Sequence, residues 1–219
     1  MDALEALVAL GRMTAEQWGL VTTEQARQVG VDRASLATLT RSGLLVVVGT
    51  DVFQLAGTPP PAHLDTKVAW LQLAPDTAAW QRLDGMTGVI SHSSACRLHG
   101  LGDLPVGTVH VFGDRSRPAG PDVRVHDMSG LDPAHITVVD GLPVTAVGQT
   151  VADLLRAGLD GGHVGGVVAD AARLGLVDLD TLARQIAVFT SAYGLPESAS
   201  GHDLISLLLA NAGEQAPAR

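Results

Sequence analysis

Three side chains able to ligate a metal lie close together near the middle of the chain. His92, Cys96 and His99 fall at i, i+4 and i+7. On a helix they share one face, and imidazole and thiolate are the donors zinc prefers. A structural zinc site takes four protein ligands, and the neighbouring sequence offers no evident fourth. A lone cysteine on an apolar helix is also an ordinary core residue. The expectation is a packed helix face without metal. Other catalytic constellations are missing from the sequence: there is no Gly-x-Ser-x-Gly elbow, no Gly-Lys-Ser/Thr phosphate loop and no His-Glu-x-x-His helix. Gly161-Gly162 and Gly165-Gly166 do not follow a strand, which argues against a dinucleotide cradle. Metal-assisted nuclease chemistry needs clustered carboxylates, whereas the acids of residues 158–219 are scattered. The chain reads as non-enzymatic, with no cofactor.

A second group of residues could read nucleic acid. Arg33, Ser35, Thr38 and Arg41 recur along one short segment. On a recognition helix the first three could reach base edges and Arg41 a phosphate. Thr23 and Gln25 open the preceding segment, where side chains and free N–H groups could hold backbone phosphate. Charge runs the other way. The chain has a net charge of −9, and residues 1–57, 58–157 and 158–219 carry −2, −3 and −4. Phosphate neutralisation supplies much of the affinity for DNA, so the expected binding is modest and reliant on two copies.

These residues need elements to hold them. Residues 3–10 read as an apolar helix that stops at Gly11. Residues 21–30 read as a short helix capped by Thr22 or Thr23 and ended by Gly30. Asp32 caps the next helix, whose apolar stripe is Leu36 and Leu39, with Ala37 on its edge. Two β-branched runs, 44–48 and 51–55, flank Gly49-Thr50 and predict a hairpin. Helix, turn, helix and hairpin in this order predict a winged helix-turn-helix over residues 1–57. Thr58-Pro59-Pro60-Pro61 can continue neither helix nor strand and reads as a linker, 58–61. Beyond it, residues 62–212 predict a mixed α/β domain. It has a helix at 65–73, a strand at 89–90, a helix capped by Ser91, four strands between 108 and 145, and a helical end. Asp140-Gly141 is a hairpin dipeptide. The small residues of 164–174 predict close helix packing, and 213–219 a frayed tail. The fold class is α+β.

One cysteine allows no internal disulfide. The acidic opening does not read as a signal peptide, and no run approaches the ~18 apolar residues of a membrane span. A cytoplasmic protein with no membrane partner is expected.

The chain resembles AbiEi-family antitoxins. Over the first 57 residues the resemblance rests on Gly19-Leu20-Val21-Thr22, Val29-Gly30-Val31, Leu36, Leu39, Ser42-Gly43-Leu44 and Val52-Phe53-Gln54-Leu55. It continues through Ile90-Ser91-His92-Ser93-Ser94-Ala95, Leu98-His99-Gly100-Leu101, Gly141-Leu142-Pro143-Val144-Thr145 and Thr150-Val151-Ala152-Asp153-Leu154. The resemblance implies an antitoxin paired with a cognate nucleotidyltransferase toxin. Its N-terminal domain would bind promoter DNA at inverted repeats, as a homodimer, and repress its own operon. The antitoxic activity would reside in the rest of the chain, with no toxin-binding residue assigned. A stand-alone winged-helix regulator that senses a ligand or partner is the alternative. The sequence departs from the family where the wing usually carries arginine: here Val48-Gly49-Thr50-Asp51 holds an acid. Gln149 likewise stands where arginine is common.

Overall fold

The computed structural model describes residues 2–84, 87–116 and 120–214. Helix α1 (Ala3–Ala15) opens on a reciprocal capping box between Asp2 and Glu5. It does not stop at Gly11 as expected. The helix runs through that position because Leu10 and Thr14, one turn apart, both bury against the domain, and this burial outweighs the ~1 kcal/mol helix cost of one glycine. Strand β1 (Leu20–Thr22) follows, taking residues expected to begin the next helix. Then come α2 (Thr23–Gln28), α3 (Arg33–Arg41), β2 (Leu45–Gly49) and β3 (Val52–Leu55). Asp32 caps α3 by accepting from the Ser35 amide. The three strands form one antiparallel sheet in the order β1-β3-β2. Strand β1 is the sheet's third member, and it escapes sequence reading because three residues give no periodicity.

After the prolines, α4 (Leu64–Leu73) carries buried residues on every side, as a helix sandwiched between two layers does. A second sheet follows. Its strands are β4 (Val89–Ile90), β5 (Val109–Gly113), β6 (Val123–Asp127), β7 (Ile136–Val139) and β8 (Leu142–Thr145), in the order β6-β5-β4-β8-β7. The pairs β5–β6 and β4–β8 are parallel; β4–β5 and β7–β8 are antiparallel. Helix α5 (His92–His99) leaves β4, and α6 (Val147–Arg156) leaves β8. The chain closes on α7 (Gly161–Arg173), α8 (Leu179–Ile186) and α9 (Gly201–Asn211). Of the expected tail, residues 215–219 lie outside the described residues.

Three apolar clusters hold these layers. The first lies under α1, α2 and α3 and includes Leu10, Val31, Leu36 and Leu39. The third fills the helical end, with Val151, Val164, Leu182 and Leu208. The second joins the winged part to the second sheet: Leu20 and Val52 share it with Trp70, Leu71, Ile90 and Val144. At the helical end the backbones themselves touch. A methyl group added at Gly165 would lie 1.9 Å from the Leu208 carbonyl oxygen, and one at Gly201 would lie 1.8 Å from that of Ala183. Gly165 of α7 therefore makes room for α9; the sequence suggested close helix packing here without naming the partner. Among the described residues, no helix is long and apolar enough to cross a membrane.

Candidate functional site

Helix α3 buries Leu36 and Leu39 and leaves Arg33, Ala37, Thr38 and Arg41 exposed. The predicted reading residues divide between its two flanks. Arg33 and Arg41 line a hollow shared with Val47, Asp51 and Phe53 of the wing. Ser35 and Thr38 line a different hollow, toward α1, in company with Asp2 and Asp32. Those two acids repel phosphate, so the wing side is the one suited to nucleic acid. Even there an acid intervenes. Asp51 sits 3.7 Å from the Arg33 guanidinium and accepts a 2.9 Å hydrogen bond from the Thr23 hydroxyl. Arg33 and Asp51 are both well exposed, so their attraction is weak and yields readily to a competing phosphate. Arg41 donates to the Thr38 hydroxyl at 3.1 Å, which holds it along the helix surface.

Two expected phosphate contacts are not at the surface. Gln25 is completely buried. Its carbonyl oxygen accepts from Gln17 at 2.7 Å and from the Thr22 amide at 3.0 Å. Its amide donates to Gln17 at 3.2 Å and to the Thr77 carbonyl at 3.0 Å. A side chain with every hydrogen-bonding position filled from inside has nothing left for DNA. Thr23 is nearly buried, with its hydroxyl committed to Asp51. The sequence did carry the signal: Thr22-x-x-Gln25 is a capping box, which assigns Gln25 to the helix start.

These residues belong to a polar junction between the winged part and the second sheet. Gln17 accepts from the Ala79 amide at 2.8 Å, Gln28 donates to the Asp76 carbonyl at 2.7 Å, and Thr22 donates to the Pro75 carbonyl. Trp18 reaches the Asp140 carbonyl through its indole N–H at 3.0 Å and meets Trp70 edge-on, with ring centroids 6.2 Å apart. Lys67, the chain's single lysine, is buried against the Trp18 ring and paired with Asp140. Sequence reading missed all of these partners because they lie roughly 50 to over 100 residues apart along the chain.

His92, Cys96 and His99, which share a helical spacing, do not form a ligand cluster among the described residues. Cys96 lies in the core of the helical end, where burial pushes its thiol up to about 12. His99 contacts the Thr145 carbonyl through Nε2 at 2.9 Å. Only His92 faces other ligand-type side chains, and they come from strands. The parallel register of β5 and β6 sets His110 beside Arg124 and Phe112 beside His126, so these four share one face of the sheet. His92, the first residue of α5, stacks on His126 with centroids 4.0 Å apart. His110 Nδ1 and His126 Nε2 lie 3.0 Å apart. Burial is the largest cause holding all three imidazoles below their ordinary pKa, with the Arg124 charge adding to it at each. His92 falls to about 3 and His126 to about 4. All three are uncharged at neutral pH. Period-two alternation in 108–112 and 123–126 was legible in the sequence. The parallel register that brings His110 and His126 together was not.

One further acid departs from its usual state. Asp153 on α6 is fully buried, and its Oδ1 accepts from Gln149 and Arg156, both at 2.8 Å. Its Oδ2 finds no partner among the described residues. Burial outweighs both hydrogen bonds and lifts the carboxyl to about 6.

The whole fold is similar to the crystal structure of the RV2827C protein from Mycobacterium tuberculosis. The TM-score is 0.54 and the identity 17%, over 96% of this chain and 78% of that one. At that identity the likeness is one of fold. No curated protein matches the sequence. Residues 12–55, which run from the end of α1 through α3 to the end of the wing, match the family described as "Transcriptional regulator, AbiEi antitoxin".

Proposed function

We propose that the chain is a non-enzymatic, cytoplasmic antitoxin that neutralises a cognate nucleotidyltransferase toxin and represses its own operon through the winged domain. The observation that carries the DNA-binding part is the exposure of Arg33 and Arg41 on the wing side of α3, within the segment that matches the AbiEi family. The acidic wing accounts for modest affinity. Asp51 competes with phosphate for Arg33, and two protomers on an inverted repeat supply together what one lacks.

Fluorescence anisotropy of the full chain on a fragment of its own promoter tests this reading. Arg33→Ala weakens binding by about 5- to 150-fold, the worth of a good base contact. Arg41→Ala weakens it evenly across sequences and lowers the salt slope by about one. Asp51→Asn keeps a residue type tolerated at its positive φ and strengthens binding by roughly fivefold, about 1 kcal/mol. Wild-type affinity in both arginine variants would remove α3 from the interface. Co-expression with the toxin separates the two roles. The arginine variants lose repression and keep growth rescue, whereas a chain that never rescues growth is a regulator without a toxin.

A further inference from the structure

We propose that His92, His110 and His126 form a binding site for a divalent transition metal of the zinc class. The three side chains come from α5, β5 and β6 and each presents one ring nitrogen, all within 4.8 Å of one another. Two nitrogens bound to one tetrahedral zinc at about 2.1 Å each stand about 3.4 Å apart. The His110–His126 pair is already at 3.0 Å, and small side-chain rotations bring His92 to the same point.

Two further features prepare the site. The Ser91 hydroxyl lies 2.9 Å from His92 Nδ1. This contact orients the ring and leaves Nε2 as its free donor, as outer partners do for metal-bound histidines. The Ser91 hydroxyl would ordinarily cap α5, yet it makes no capping hydrogen bond there. His92 also sits at φ +50, a left-handed conformation unusual for histidine. Backbone held in this region costs of order 1–3 kcal/mol and tends to occur where a side chain must be aimed. His92 is buried, while His110 and His126 are only partly buried, so the cluster has a solvent side through which an ion can enter.

Imidazole donors suit zinc, copper and nickel, and do not suit magnesium or calcium. Three protein ligands leave one position open, the arrangement of zinc sites that also hold water or a ligand. Arg124, whose charge is felt at all three histidines, favours hydroxide or another anion there. The ion would tie the start of α5 to the parallel β5–β6 pair.

The test uses the full chain, stripped with chelator and titrated with Zn²⁺ by calorimetry and with Co²⁺ by visible absorption. One ion per chain is expected, with a rise in melting temperature on adding Zn²⁺. His110→Ala and His126→Gln each weaken binding by more than about tenfold, the least that loss of a mere outer partner causes. His163→Ala, on the surface of α7, and Cys96→Ser leave it unchanged. Melting curves in chelator confirm that each variant is folded. If His126→Gln does not fold, His110→Ala and the wild-type melting shift decide the matter. No stoichiometric binding by the wild type, or binding undiminished in the folded histidine variants, overturns the site. Loss of binding in Cys96→Ser does so as well, because it would return the metal to the helix-face trio.

Discussion

At the front of the molecule, the winged part meets α4 and the loop beyond it through the apolar contacts of Leu20 and Val52 and, beside them, through polar groups without access to water: Gln17, Gln25 and Lys67. At the rear, α7, α8 and α9 meet through aliphatic side chains and through glycines that let backbone touch backbone. A buried polar network is favourable only when its hydrogen bonds are made, so it admits one arrangement and resists its neighbours. A seam of small and aliphatic residues is stabilised by apolar area and close contact, and it fails when volume is added. The front junction therefore fixes how α3 is presented, and the rear seam supplies stability. Four substitutions break or sharpen this contrast.

The largest effect belongs to the rear. Gly165→Ala drives a methyl group against the Leu208 carbonyl, with no flexible side chain to move aside. We expect a loss of about 3 kcal/mol, the upper part of the usual overpacking range, and a melting temperature lower by roughly 10 °C. Gly166, one residue on, has open space around its missing side chain. Gly166→Ala should stabilise the helix by up to about 1 kcal/mol. Equal melting temperatures for the two variants would mean that α7 and α9 are not in backbone contact.

Between front and rear lies Asp153, polar like the first and buried like the second. Its unpartnered oxygen breaks the rule that the front junction obeys. The folded-state pKa of about 6 stands above the ordinary carboxyl value of 3.8, so protonation favours the folded protein. That contribution is complete below about pH 4 and is lost as pH rises through 6. The difference amounts to at most about 3 kcal/mol. Asp153→Asn should therefore be more stable than wild type at pH 7, by about 2 kcal/mol, and the advantage should vanish by pH 4. The three neutral histidines titrate with the opposite sign, since their depressed pKa values make acid destabilising. The comparison is therefore the difference between variant and wild-type urea curves across pH 4–7. A flat difference would mean that Asp153 is ionised throughout.

What could be read from the sequence divides along the same line. Local chemistry was legible: the Asp32 cap, the Asp140-Gly141 turn, the buried pair Leu36 and Leu39, and the glycine stripe of α7. These depend on neighbours within one or two turns. The polar junction was not legible, because a buried glutamine looks like a surface glutamine until its distant partners are known. The histidine cluster was half legible. His92 stood out for its helical spacing with Cys96 and His99, but the spacing pointed along α5 while the partners came from a strand pairing. Parallel register between β5 and β6 has no local signature, since a parallel pair is joined by a crossover and no turn fixes it.

The smaller of the two expected losses of stability distinguishes a junction residue from a DNA contact. Gln25→Ala removes two acceptor bonds and two donor bonds, taking these partners from Gln17, the Thr22 amide and the Thr77 carbonyl inside the protein. The expected cost is about 1–2 kcal/mol of stability, within the range for stranding buried polar groups. Since Gln25 has no surface, its loss cannot delete a phosphate contact. The salt slope of promoter binding should stay at the wild-type value, in contrast to Arg41→Ala. If Gln25→Ala lowers that slope by one while melting at the wild-type temperature, Gln25 is a phosphate contact after all. The front junction would then open on DNA, and the rigid presentation of α3 argued above would fail with it.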